Sequence, residues 1–233
     1  MSIVIKGLQK FSLIDYKDKT AAVIFTGGCN FNCVYCHNRE LISYDKKNMI
    51  SEKEILNFLQ TRIKLLDAVS ISGGEPTLQK DLLYFIKKIK KMGFLIKLDT
   101  NGTNPEMLEN LINKNLIDYV AMDIKAPLDL KDYEKIIKVK NKNLIEAVKK
   151  SVKILLREKI DYEFRTTVAK DLLSKKDIEK IAREIKGAKK YYLQNFVKTE
   201  KISYNKLNPM DKNELEELKS AAEEYVLKCE IRD

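Results

Sequence analysis

Cys29, Cys33 and Cys36 lie together in the stretch Thr26-Gly27-Gly28-Cys29-Asn30-Phe31-Asn32-Cys33-Val34-Tyr35-Cys36-His37-Asn38. Their spacing is C-x3-C-x2-C, directly after an apolar run over 21–25 that reads as a strand. Three thiolates on one short loop can hold three irons of a [4Fe-4S] cluster, and the fourth iron then lacks a protein ligand unless a cysteine arrives from elsewhere. An open iron at the C-terminal end of a strand is a reaction site rather than a structural staple. The competing reading is zinc, which calls for paired C-x2-C knuckles or a Cys/His quartet. His37 is a fourth donor, but beside Cys36 it is poorly placed to close a tetrahedron with the other three. These residues favour a cluster and leave zinc as the alternative.

A loop of this kind needs a scaffold, and the flanking pattern supplies one. Residues 1–20 hold two short apolar pieces, at 3–5 and 11–14, that could cover the bottom of a sheet or add edge strands to it. Asp15-Tyr16-Lys17-Asp18 has turn chemistry. The first core strand is expected over 21–26. Ser51-x-x-Glu54 reads as a capping box, followed by the helical stripe Ile55, Phe58, Leu59 and Ile63. Strand and helix then alternate. Strands are expected over 68–72, 94–98, 117–124, 160–168 and 190–196. Helices are expected over 81–92, from Asn104-Pro105 onward, near 144–158, after Ser174 and over 211–226. A longer excursion containing Lys125-Ala126-Pro127 follows the fourth strand, and 227–231 reads as a closing strand. Six alternations predict an α/β fold with a parallel sheet and right-handed crossovers. Six rather than eight predict a partial, open (β/α)6 TIM-like barrel. The expected organisation is a single domain over 1–233, with a barrel core at 21–196, a short extension at 1–20, and a loop, helix and strand at 197–233.

Strand alternation predicts what the barrel encloses. Lys97 and Asp99 share one face of their strand, opposite Ile96 and Leu98. Tyr119, Ala121 and Asp123 oppose Val120 and Met122, and Glu163 and Arg165 oppose Tyr162, Phe164 and Thr166. Outer helices take the apolar set, so the polar set points inward. A closed barrel is normally filled by aliphatic layers, whereas charges at the C-terminal ends of neighbouring strands mark a ligand-binding mouth. Gly73-Gly74-Glu75-Pro76 fits that mouth, with two glycines for close backbone approach and a carboxylate that can accept from a ligand ammonium. A buried structural ion-pair network is the alternative for these charges.

Composition bounds the rest. The 233 residues suffice for one α/β domain with a substantial core. No apolar run is long enough to span a membrane and no signal-peptide core is visible, which predicts a soluble, cytoplasmic protein. The net charge of +10 raises nucleic-acid binding. The lysines are interleaved with Glu and Asp along every segment, as on a solvated helix surface, which argues against it. Cys229 alternates with Leu227 and Ile231 and is expected to be a buried, inert thiol.

The cysteine loop, with Gly27-Gly28 before it and Tyr35-Cys36-His37-Asn38 ending it, resembles the signature of the radical S-adenosylmethionine (SAM) enzymes. Its ending is similar to that of glycyl-radical-enzyme activating proteins. The opening Gly7-Leu8-Gln9-Lys10-Phe11-Ser12-Leu13-Ile14-Asp15-Tyr16 resembles the anaerobic ribonucleoside-triphosphate reductase activating branch most closely. The resemblance implies a [4Fe-4S] cluster on Cys29, Cys33 and Cys36 whose open iron chelates SAM. It places Gly73, Gly74 and Glu75 at the SAM amino group, Tyr35, His37 and Phe196 near adenine, and Asn101, Lys125 and Arg165 around SAM or the substrate peptide. It also implies a monovalent cation at Asp99, Thr100, Asp123 and the Ala121 carbonyl. One-electron reduction, from a ferredoxin- or flavodoxin-type partner, would cleave SAM and yield a radical that takes hydrogen from a glycine of a glycyl radical enzyme. Gln194-Asn195-Phe196 departs from the histidine of pyruvate formate-lyase activators, which shifts weight to the reductase branch. Lys198, Lys201, Tyr204 and Lys206, after the sixth strand, are expected beside the barrel mouth where that glycine loop would pass. Two alternatives stand beside this reading: a small-molecule radical SAM enzyme such as a 7-carboxy-7-deazaguanine synthase, and a non-catalytic iron–sulfur electron carrier. The Tyr-Cys-His-Asn ending argues against the first, and the GGEP turn against the second.

Overall fold

A computed structural model describes residues 3–45, 47–199 and 207–232. Lys201, Tyr204 and Lys206 lie outside the described residues.

One sheet organises the chain, with its strands in sequence order: β1 (Ile5–Ser12), β2 (Ala21–Thr26), β3 (Ala68–Gly73), β4 (Leu95–Thr100), β5 (Tyr119–Asp123), β6 (Asp161–Val168), β7 (Tyr191–Asn195) and β8 (Cys229–Arg232). β1 pairs antiparallel with β2, and every later pairing is parallel. The two N-terminal apolar pieces therefore belong to one edge strand and its flanks. The chain's last strand extends the sheet at β7 and does not close it, since β1 and β8 remain its two edges among the described residues. The result is an open, partial (β/α) barrel, as the alternation predicts.

Helices α1 (Glu52–Gln60), α2 (Leu82–Lys90), α3 (Pro105–Asn113), α4 (Leu130–Ile137), α5 (Lys142–Leu155), α6 (Lys175–Glu184) and α7 (Lys212–Glu223) complete the chain. Their starts follow capping chemistry. Ser51, Asn104 and Ser174 each accept a hydrogen bond from the backbone N–H three residues on. α4 sits in what the sequence offered only as an excursion. Asp129 caps it by accepting from the Asp132 N–H, and Lys138 ends it in the left-handed region at φ 54°. Ile24, Ile71, Leu98, Val120 and Phe164 bury the outer face of the sheet against Ile55, Phe85, Leu111, Val148 and Ile181 of the helices. Inside, small residues make room. Tyr16, from the turn after β1, packs on Tyr119 at 5.6 Å between ring centres, together with Ala21, Ala68 and Ala121. This aromatic pair plugs the N-terminal end of the barrel.

Candidate cofactor site

The C-terminal ends of the strands surround a cavity of about 330 Å³. Cys29, Cys33 and Cys36 face it together with Tyr35, His37, Gly73, Gly74, Glu75, Asp99, Thr100, Asn101, Asp123, Lys125 and Arg165. Residues assigned from five different strand ends thus meet in one place. Two do not reach it. Ala121 is buried lower in the barrel against Tyr16 and Tyr119. Phe196 is 1% exposed and stands behind His37, with ring centres 6.1 Å apart.

Backbone contacts hold the cysteine loop in place. The Gly28 and Cys29 N–H groups donate to Leu41 and Ile42 carbonyls, and the Glu75 N–H donates to the Gly28 carbonyl at 2.8 Å. The glycine turn makes this docking possible. Gly73 holds φ 119°, and a Cβ on Gly74 would stand 2.1 Å from the Gly28 oxygen. Asn30, which sequence reasoning did not single out, accepts from Asn101 Nδ2 at 2.9 Å and donates to Thr103 Oγ1 at 2.8 Å. It ties the loop between Cys29 and Cys33 to the end of β4. Its only sequence signal is its position inside the cysteine stretch.

Glu75 is 1% exposed and more tightly held than a ligand-facing carboxylate needs to be. Its Oε1 accepts from the Thr77 N–H, the Thr77 hydroxyl and the Thr100 hydroxyl, and its Oε2 accepts from the Asn101 N–H at 2.6 Å. Burial raises its pKa against these four donors. Glu75 therefore joins the turn after β3 to the end of β4 as well as facing the cavity.

The charges on β4, β5 and β6 interlock. Asp99 Oδ1 meets Lys97 Nζ at 2.7 Å and Arg165 at 3.5 Å, while Asp123 meets Arg165 Nε at 2.7 Å and Lys125 Nζ at 2.8 Å. Burial raises both carboxyls, but Arg165, with Lys97 or Lys125, more than offsets it. Asp99 is lowered and Asp123 falls to about 2. Three protein cations thus serve two carboxylates. Lys97 lies on the inner face that strand alternation gives it, and its pairing with Asp99 belongs to the ion-pair network named as the alternative for these charges.

The three thiols face one cavity, as a cluster bound through three cysteines requires. Among the described residues, no three His, Cys, Asp or Glu side chains form a group that could hold a metal ion. Burial pushes the Cys29 thiol up to about 11 and Cys33 up to about 12, so loading iron on them displaces protons. Cys229, in β8, is 2% exposed and remote from this cavity's lining.

The Radical SAM superfamily profile matches residues 23–185, well over half of the chain. The chain belongs to the radical SAM superfamily. It is 38% identical over 237 residues, covering 100% of this chain and 97% of the relative, to the "Putative glycyl-radical enzyme activating enzyme" of Methanocaldococcus jannaschii. A second protein of that name from the same organism is 32% identical over 185 residues, or 78% of this chain and 69% of the relative. Among solved structures, a radical SAM methyltransferase from Sphaerobacter thermophilus superposes with a TM-score of 0.70 at 14% identity, covering 95% of this chain and 68% of that one. At that identity the likeness shows the radical SAM fold alone. No described helix is long and apolar enough to cross a membrane.

A second cavity, of about 910 Å³, opens between the 13–18 turn and β8. There Glu163 is held by Tyr119 Oη at 2.8 Å and by both Arg232 terminal nitrogens at 2.8 and 2.9 Å, while Arg232 stacks on Tyr192. Arg165 and Gln194 line both cavities.

Proposed function

We propose that this radical SAM protein is an activase that generates a glycyl radical on a partner enzyme, with anaerobic ribonucleoside-triphosphate reductase as that partner. The observation that carries the activase reading is likeness over the full chain length to a protein named as a glycyl-radical enzyme activating enzyme, while the choice of reductase rests on the resemblance of the opening Gly7–Tyr16 stretch. The site's chemistry is consistent with it. When bound, a [4Fe-4S] cluster on Cys29, Cys33 and Cys36 would pass one electron to SAM and so supply the radical that removes hydrogen from a glycine. The chain's own residues bind and position. Gly73 and Gly74 allow close approach of the ligand's amino end, beside the negative charge of Glu75. Lys125 and Arg165, which face the cavity, are the cations that suit the SAM carboxylate. His37 and Tyr35 border the remaining wall.

The test is anaerobic reconstitution with the reductase of the same cell. Electron paramagnetic resonance counts glycyl radicals while chromatography counts 5'-deoxyadenosine. Both are expected, in comparable amounts. Deoxyadenosine formed without any radical on the reductase would reject this partner, and its absence altogether would reject the activase reading.

A second expectation concerns ions. Because protein cations already serve Asp99 and Asp123, SAM affinity is expected to be equal in KCl and in tetramethylammonium chloride at matched ionic strength. A tenfold weakening without potassium, read by equilibrium binding, would show that a cation enters the pair after all.

A further inference from the structure

The cysteine loop has an outer side as well as an inner one, and α4 covers it. The Asn32 N–H donates to the Ile137 carbonyl at 2.9 Å, and the Val34 N–H to the Ile136 carbonyl at 3.0 Å. Phe31 meets Tyr133 of α4 edge-on, 6.2 Å between ring centres. Cys33 therefore faces the cofactor cavity, while the residues on either side of it are hydrogen-bonded to the last turn of α4. The solvent side of that helix forms a shallow cavity of about 600 Å³ lined by Leu130, Lys131, Glu134, Lys135, Lys138 and Lys140. All four lysines are exposed. Lys135 pairs with Asp132 at 2.7 Å, whereas Lys131, Lys138 and Lys140 enter no ion pair among the described residues.

We infer that this α4 surface is the docking site of an acidic one-electron carrier protein. The inference rests on the proposed activity, which consumes one electron per turnover. In the docked pair the carrier's reduced centre loses one electron and the cluster gains it, with no atom transferred. Two features single out this patch on a chain with many lysines. Four cations against one lining carboxylate attract an acidic partner over the range of a Debye length, about 8 Å at physiological salt. And only the Ile136–Val34 hydrogen bond and one peptide separate the helix end from Cys33. A comparable lysine-bordered cavity on α2 and α3, with Lys80, Lys87 and Lys114, has no hydrogen bond to the cysteine loop among the described residues.

The experiment compares the full-length protein with two triple variants of equal charge change: Lys131→Glu/Lys138→Glu/Lys140→Glu, and Lys80→Glu/Lys87→Glu/Lys114→Glu. The probe is an acidic flavodoxin. Its affinity for each protein, without and with the reconstituted cluster, is measured by calorimetry, and reduction of the cluster by flavodoxin hydroquinone is followed by stopped flow. The α4 variant is expected to bind at least tenfold more weakly at low salt, with the deficit shrinking as salt rises, and to be reduced at least tenfold more slowly. Its reduction by dithionite, which needs no docking, should match that of the unaltered protein. At physiological salt, where the Debye length is about 8 Å, the α2–α3 variant should stay within about twofold of the unaltered protein, since charges remote from the docked partner are then screened. Equal losses in both variants would reduce the effect to net charge and overturn the assignment, and so would no loss in the α4 variant. Failure of the activase reading is seen separately, as absence of 5'-deoxyadenosine with dithionite in the unaltered protein.

Discussion

Replacing any one of Cys29, Cys33 or Cys36 by alanine is expected to abolish SAM cleavage and to lower the iron held after reconstitution from about four per chain. Each thiol faces the same cavity, so no remaining ligand can shift to cover the gap without moving the loop. That loop is fixed at both ends, by Leu41 and Ile42 on one side and by α4 on the other. Cys229→Ser is the internal control, because Cys229 lies in β8 behind α7 and should leave iron content unchanged. Iron analysis and the visible absorption of the cluster read the result before any turnover is attempted. A full iron complement in Cys33→Ala would refute the three-thiolate assignment, and loss of iron in Cys229→Ser would refute the open fourth iron.

The second large effect concerns Arg165. Among the described residues it is the one side chain that pairs with both Asp99 and Asp123, and Arg165→Leu strips a cation from two partly buried carboxylates at once. Breaking a buried pair from one side typically costs about 3–5 kcal/mol. Lys97 and Lys125 remain as second partners, so the lower end, about 3 kcal/mol, is the expected loss in urea unfolding of the metal-free protein. The pH dependence should change as well. Asp123, held near 2 in the fold against about 3.9 in an unfolded chain, contributes stability that is present above about pH 4 and is lost as pH falls toward 2. Without Arg165 that depression shrinks, and acid unfolding should begin at higher pH. A loss below about 1 kcal/mol, the level of exposed pairs, would mean that water rather than Arg165 solvates these carboxylates.

Much of this arrangement is legible without coordinates because a strand's period is two. Once Lys97, Asp99, Asp123, Glu163 and Arg165 fall on the faces opposite Ile96, Leu98, Val120, Met122 and Phe164, the inner wall follows, and the parallel register Asp123 to Arg165 then brings the charges together. What the pattern could not supply is contact between distant stretches. The grip of Thr77, Thr100 and Asn101 on Glu75 spans up to 26 residues, and nothing in a turn sequence announces it. α4 was hidden for another reason. Its eight residues, LKDYEKII, are too short for a sustained helical stripe and follow Lys125-Ala126-Pro127, which reads as loop. The Asp129 cap was its single local signal. The position of Phe196 was not legible either, since β7 ends at Asn195 and the ring lies behind His37.

The two cavities that share Arg165 and Gln194 make the barrel a vessel with a thin septum. On one side lie the thiols and the glycine turn. On the other is the larger chamber, open to solvent between the turn after β1 and the last strand. The plane of a guanidinium and one amide separate them, held taut by Asp99 and Asp123 rather than by an aliphatic plug. The partition between the two chambers is therefore set by ion pairs more than by oil-like packing. Anything that loosens those ion pairs joins the two chambers into one.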